Sequence, residues 1–173
     1  MMGGTARHWI PCILLCMPAS LGVLAQTPPS ASAKVDHVLV LKQKRILQLL
    51  HGHNVVKEYK VALGSSPTGP KTQQGDHKTP EGDYVLDSRN LHSQYYKSIH
   101  ISYPTMEQRS AARKRGVSAG GDVFVHGLPN SYHGPQAANP LYDWTDGCIA
   151  VTDREMDEIW NVVADGTPIE IRP

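Results

Sequence analysis

From residue 35 onward, apolar side chains come in short runs separated by Gly, Pro, Asn and Asp, a pattern that predicts strands. The first run spans residues 37–41. Two more, 45–50 and 55–63, flank His51, Gly52, His53 and Asn54, a turn that tolerates unusual backbone angles, so the pair predicts an antiparallel hairpin. Residues 84–87, 98–103 and 122–126 are further strand candidates, and 167–171 a closing one. Residues 107–115 predict a short helix. Between them, residues 64–82 hold four glycines and three prolines, which suits a structured surface loop of a length that often carries function.

One helix is marked more strongly. Thr152, Asp153, Arg154 and Glu155 form a capping-box pattern, in which the threonine satisfies an early amide and Glu155 reaches back to the cap. Met156, Ile159, Trp160 and Val163 then repeat at helical spacing and read as one core-facing stripe rather than as cofactor ligands. Gly166 releases the helix before the closing strand.

The N-terminal pattern differs. Arg7 and His8 precede an apolar stretch from Trp9 to Ala25 broken by Pro11 and Pro18, with Val23 and Ala25 at the small-residue positions before a cut. Residues 1–25 therefore read as a secretory signal peptide, 26–34 as a flexible lead-in and 35–173 as one domain. A retained spanning helix needs about 20 mostly apolar residues without such prolines, so no stable membrane insertion is expected after cleavage. The expected localisation is exported, in the periplasm or cell-wall space.

Composition sharpens this reading at two points. The chain of 173 residues has 17 basic and 16 acidic side chains, and removal of the leader takes only Arg7, leaving the remainder formally neutral. Neutrality at 19% charged residues argues against general nucleic-acid binding, which needs a concentrated positive footprint. Arg109, Arg113, Lys114 and Arg115 read as an exposed helix face. Of the three cysteines, Cys12 and Cys16 fall in the leader, so the domain keeps Cys148 alone and has no disulfide framework.

Cys148 follows a glycine at the start of an apolar run, and His126 ends the strand candidate 122–126. If the chain brings together these two residues, 22 positions apart, His126 can accept the thiol proton and later protonate a leaving amine, which is covalent acyl-transfer chemistry. The Gly147 and Cys148 amides are candidates for an oxyanion hole. The orienter of the second imidazole nitrogen is either a backbone carbonyl near Gly127 or a carboxylate such as Asp146.

With these motifs in order, the chain resembles the L,D-transpeptidase catalytic domain family, also called the YkuD domain family, over residues 35–171. The resemblance rests on FVHGLPN at 124–130 and DWTDGCIAV at 143–151, supported by VALG at 61–64, TPEG at 79–82 and DGTP at 165–168. It implies a mainly β, YkuD-like domain, a β-sandwich or mixed sheet with a short helix after the cysteine strand. It further implies Cys148 as nucleophile, His126 as acid/base partner and the Gly127 carbonyl as orienter, with no cofactor and no metal. The implied partners are peptidoglycan stem peptides and an amine acceptor: Cys148 attacks the carbonyl before a terminal D-alanine, D-alanine leaves, and the amine resolves the thioester to give a 3-3 crosslink or a related link. Oligomeric state is left unassigned. The chain departs from the family pattern twice, with Asp146 in place of a histidine and Ala150 in place of Arg or Asn, which loosens specificity more than reaction class.

Tyr132 and Trp144 flank the chemistry and are substrate-loop candidates; Asp146 and His133 are candidate substrate contacts. Tyr95, Tyr96, Tyr103 and Tyr142 read as ordinary packing and surface residues. Three competing readings remain at this level. A Cys-dependent wall amidase or carboxypeptidase would use water as acceptor. A metal-dependent wall peptidase would use His126 and His133 with Asp122, Asp143 or Asp146. A non-enzymatic wall-binding module would need neither.

Overall fold

Alternation with a period of two is what lays this chain into a sheet. Successive side chains point to opposite faces, so each run can bury every second residue. Val38 and Val40, Leu47 and Leu49, Tyr84 and Leu86, Ile99 and Ile101, and Ile169 and Ile171 do so, each no more than 5% exposed. The computed structural model describes residues 1–4, 34–136 and 142–173, and the domain is the compact unit running from Ala31 to Pro173. All but residues 1–4 of the leader expected over residues 1–25, and most of the lead-in, lie outside the described residues.

Eight strands are described, with two helices and one 3-10 turn: β1 (His37–Leu41), the turn Lys42–Lys44, β2 (Ile46–His51), β3 (Asn54–Lys60), β4 (Gly82–Asn90), β5 (Ser98–Ile101), α1 (Met106–Lys114), β6 (Phe124–His126), β7 (Ile149–Ala150), α2 (Asp153–Val162) and β8 (Thr167–Arg172). They form one mixed sheet in the order β3-β2-β1-β8-β4-β5-β6-β7. The pairs β1/β8 and β6/β7 are parallel and the others antiparallel. The expected mainly β fold with a helix after the cysteine strand is what is found.

The sheet curls. Beyond β3, which ends at Lys60 rather than at Leu63, the chain crosses to the opposite edge: Ala62 and Ala150 exchange two backbone hydrogen bonds of 3.0 and 2.9 Å. Thr145 continues the closure by donating to Leu63 O (3.1 Å) and accepting from Ser65 N (2.9 Å). Val61 and Leu63 are thereby buried while β3 itself runs largely exposed. Such a closure protects the short edge strand β7, which otherwise has one neighbour.

Asp143 clamps the same seam. Its Oδ1 accepts from Leu63 N at 3.0 Å, and its Oδ2 from Arg45 Nε and Nη2 at 3.2 and 2.8 Å. The 64–82 loop is fastened from below by Lys42, whose buried ammonium donates to Gly69 O, Thr79 O and Glu81 Oε1 at 2.7 to 2.9 Å. Both helices start with the capping box, Thr105 with Gln108 and Thr152 with Glu155. Met156, Ile159 and Val163 are buried as the stripe predicts, and Trp160 packs at the core's margin.

Replacing Asp143 with Ala strands the Leu63 amide and releases Arg45 together. The variant is expected to lose about 2 kcal/mol of stability, read as a lower urea midpoint at unchanged slope; an unchanged midpoint would show that the seam does not depend on this carboxylate.

Candidate active site

The pairing of β6 with β7 assembles the site. Val125 pairs with Ile149 and His126 with Ala150 in parallel register, so Cys148, one residue before β7, falls beside Phe124. Residues two apart on a strand share a face, which sets His126 and Cys148 on the same side of adjacent strands. Both side chains line one cleft of about 530 Å³, with Tyr95, Trp144, Thr145 and Asp146 among its walls.

His126 is 3% exposed, and its position is held at three points. Its carbonyl accepts from Val151 N at 3.0 Å. Its ring lies 4.6 Å from that of Tyr95 and 5.8 Å, edge-on, from that of Trp144. Its Nδ1 meets the Gly127 carbonyl at 2.6 Å. A carbonyl oxygen only accepts, so Nδ1 carries the proton and Nε2 is left as the basic nitrogen. Gly127 must be glycine here, because a β-carbon would sit 2.6 Å from Asp153 Oδ1 and 2.9 Å from Tyr96 Cβ. Asp153 in turn accepts from Leu128 N at 2.8 Å, which ties the strand end to the start of α2.

Cys148 is partly exposed, at the end of a turn built around Thr145. The Thr145 hydroxyl donates to Cys148 O at 2.8 Å and accepts from Gly147 N at 3.1 Å. The two amides expected to form an oxyanion hole are therefore not equivalent, since that of Gly147 is engaged within its own turn. Gly147 has φ +133°, where side chains are disfavoured, and a β-carbon on it would approach Lys78 O to 2.6 Å. The thiol itself faces Asp122 O at 3.7 Å. To hand a proton to His126, the sulfur must turn from that carbonyl toward Nε2.

Both titrating groups are kept neutral. Burial pushes the Cys148 thiol up to about 11, the carboxylates of Asp146 and Asp122 act in the same direction, and the Phe124 amide and Lys71 oppose it. Burial also pushes the His126 imidazole down to about 4, against the Gly127 hydrogen bond, which favours the cation. The resting pair at neutral pH is thus thiol and imidazole rather than thiolate and imidazolium.

Of the other residues singled out in the sequence, Trp144 and Asp146 line the cleft. Asp146 does not orient His126: its Oδ1 pairs with His77 Nδ1 at 2.7 Å. Among the described residues, Tyr132 and His133 do not line it; Tyr132 donates its hydroxyl to Pro135 O at 2.9 Å, and His133 is exposed. No group of three or more His, Cys, Asp or Glu among the described residues is arranged to hold a metal ion, and Asp143 and Asp146 are engaged by Arg45 and His77. No helix among the described residues is long and apolar enough to cross a membrane. Sequence reasoning missed Tyr95 against the imidazole, Thr145 in the turn, and Lys71 and His77, which line a second cleft of about 460 Å³ that also reaches Asp122, Asp146 and Cys148. The signal for the last two was the Gly- and Pro-rich 64–82 loop that holds them.

Comparison with known proteins identifies the family. The model of the L,D-transpeptidase catalytic domain family, YkuD, matches residues 35–171. A relative named "Putative L,D-transpeptidase YafK", from Escherichia coli (strain K12), is 28% identical over 167 residues, covering 89% of this chain and 59% of its own length. The chain thus spans about three fifths of the curated relative it matches. In fold it is similar to the helical cell shape determining protein Pgp2 of Campylobacter jejuni, with a TM-score of 0.61 at 24% identity over 80% of this chain and 48% of that one. An L,D-transpeptidase of Xylanimonas cellulosilytica gives a TM-score of 0.52 at 21% identity over 84% and 63%.

Because the thiol starts protonated, alkylation of Cys148 by iodoacetamide should climb with pH through 9 and 10 toward a midpoint near 11. Peptide mass mapping separates it from Cys12 and Cys16. A plateau already reached below pH 8 would show a preformed thiolate instead.

Proposed function

The chain belongs to the L,D-transpeptidase catalytic domain family, and from that premise we propose that it is a cysteine acyltransferase acting on peptidoglycan tetrapeptide stems. The observation that carries the proposal is the placement of His126 and Cys148 on one face of adjacent strands, with Nδ1–H fixed on the Gly127 carbonyl and Nε2 left basic.

In the proposed reaction, Cys148 Sγ attacks the carbonyl between the L-centre of the stem's third residue and its terminal D-alanine. The thiol proton passes to His126 Nε2 as the S–C bond forms. Transfer in step with attack suits a pair that is neutral at rest, because no free imidazolium has to be buried before substrate arrives. The oxyanion faces the Cys148 amide. Collapse breaks the C–N bond, the imidazolium protonates the departing D-alanine amine, and a thioester remains. An acceptor amine then loses a proton to Nε2, attacks the thioester and returns the thiol, leaving a 3-3 crosslink or a link to another amine.

Two clefts meeting at Cys148 suit two substrates. The aromatic wall of Tyr95 and Trp144 favours the donor stem in the first, and the carboxylates of Asp122 and Asp146 at the second favour a cationic amine. The Tyr95 and Trp144 rings stack at 6.2 Å, which makes that wall a continuous aromatic surface. Action in the periplasm or cell-wall space follows if residues 1–25 direct export.

The test incubates the protein, Cys148→Ala and His126→Ala with a defined tetrapeptide-stem muropeptide, with and without an amine acceptor, and resolves protein and products by mass. The expected result is an acyl adduct on Cys148, release of D-alanine and a crosslinked product when amine is present. Cys148→Ala should abolish all three, and His126→Ala should slow acylation by about 10² to 10⁴-fold while the fold persists. Cleavage that survives Cys148→Ala and disappears with a chelator would overturn the proposal; hydrolysed product alone, even with amine present, would reassign the acceptor to water.

A further inference from the structure

We propose that Lys71 is the buried cation that stabilises negative charge at Cys148, first on the thiolate and then on the oxyanion next to it, a role that rests on the acyl-transfer reading above. Lys71 stands in the 64–82 loop, far from the nucleophile in sequence, and its side chain is only 4% exposed. A β-carbon built on Gly147 would lie 3.6 Å from its Nζ. The absence of a side chain at 147 therefore lets the ammonium rest against the backbone that leads into the nucleophile.

Burying an ammonium is costly unless it is paired, and Asp76 provides the pair, with Oδ1 at 2.8 Å. Asp76 is not a plain counter-charge. It also accepts from the amides of Thr72, Gln73 and Lys78 at 2.7, 3.1 and 3.2 Å. Burial raises this carboxyl, but the lysine and the three amides together outweigh it and hold it down at about 2. Its negative charge is spread over four donors. Lys71 lines the second cleft together with Cys148, and Asp76 does not, so the lysine is the member of the pair that shares the cleft with the thiol.

The other charges around the thiol oppose a thiolate. From its own turn Cys148 faces Asp146, and from the segment before β6 it faces Asp122, both opposing a thiolate. His126 on β6 is buried and held neutral, and His77 is taken up by Asp146. Among the described residues lining the two clefts, Lys71 is the one lysine or arginine. Lys42, the other buried lysine of this region, is instead enclosed by Gly69 O, Thr79 O and Glu81 and serves the loop.

If the Lys71–Asp76 pair were only a staple for the loop, removing either partner would have the same effect. An electrostatic role separates them: losing the cation suppresses the thiolate, and losing the anion favours it. The test is the pH profile of Cys148 alkylation by iodoacetamide, resolved by peptide mass, in the full chain and in Lys71→Gln, Lys71→Arg and Asp76→Asn, with circular dichroism to confirm folding. Lys71→Gln should slow alkylation at pH 8 by about tenfold or more and move the midpoint up. Lys71→Arg should keep most of the wild-type rate, and Asp76→Asn should match or exceed it. A folded Lys71→Gln with the wild-type profile, or a slower Asp76→Asn, overturns the assignment; should Lys71→Gln not fold, the Arg and Asn variants decide it. Because alkylation needs no muropeptide, this outcome is separate from that of the acyl-transfer reading, which fails only if Cys148-dependent chemistry on the stem is missing.

Discussion

The site depends on how the two-residue strand β7 is held. Ile149 and Ala150 are too few to define a strand by themselves, yet the nucleophile's place is set by them. Parallel pairing with β6 fixes the side to which Cys148 points. The two hydrogen bonds between Ala150 and Ala62 fix it from the other flank, and they exist only because the sheet curls far enough for the chain beyond β3 to reach the opposite edge. Asp143 and Thr145, a few residues before the cysteine, are bonded into the same seam. The geometry of the active-site turn and the closure of the fold are therefore one set of interactions, and a loosened seam would displace the sulfur along with the sheet.

A thiol held this firmly is also largely enclosed, and that enclosure sets the chemistry. The same enclosure that sets His126 against Tyr95 and Trp144 discourages its cation, and the enclosure of Cys148 discourages its thiolate. The pair rests neutral and protected from adventitious reaction. In the proposed reaction charge appears only when a carbonyl is in reach, and the groups proposed to receive it, the Nε2 lone pair, the Cys148 amide and the ammonium of Lys71, are fixed beforehand rather than recruited. Two carboxylates at the second cleft oppose the thiolate. Their presence is intelligible if that cleft admits a cationic acceptor, and the buried lysine offsets them.

Much of this was legible in the sequence. Period-two alternation placed most of the strands, and the Thr152 capping box with its apolar stripe placed α2, because both signals are local and each side chain's burial is decided within a few residues. Cys148, His126 and the Gly127 carbonyl were readable from ordered motifs. What local pattern could not show was anything set by contact across the chain. The closure of Ala62 on Ala150 turned the last three residues of the expected strand 55–63 into a separate bridge. Asp146 reads as a candidate orienter, but His77, 69 residues away, takes its carboxylate. Lys71 looks like a surface lysine in a polar loop, and its burial against Gly147 appears only once the loop is folded over the turn. Tyr95 reads as one tyrosine among several until β5 and β6 pair and bring its ring over the imidazole.

The central claim is that His126 rests as a neutral imidazole with its proton on Nδ1, locked to the Gly127 carbonyl, and with Nε2 free to act as base. Nitrogen-15 NMR of the histidine side chains, with His126 assigned by its absence in His126→Ala, reads this directly. At pH 7 the account predicts a protonated Nδ1 and an unprotonated Nε2, unchanged down to about pH 5 given a pKa near 4. Protonation of both nitrogens at pH 7, or a proton on Nε2 alone, would contradict it.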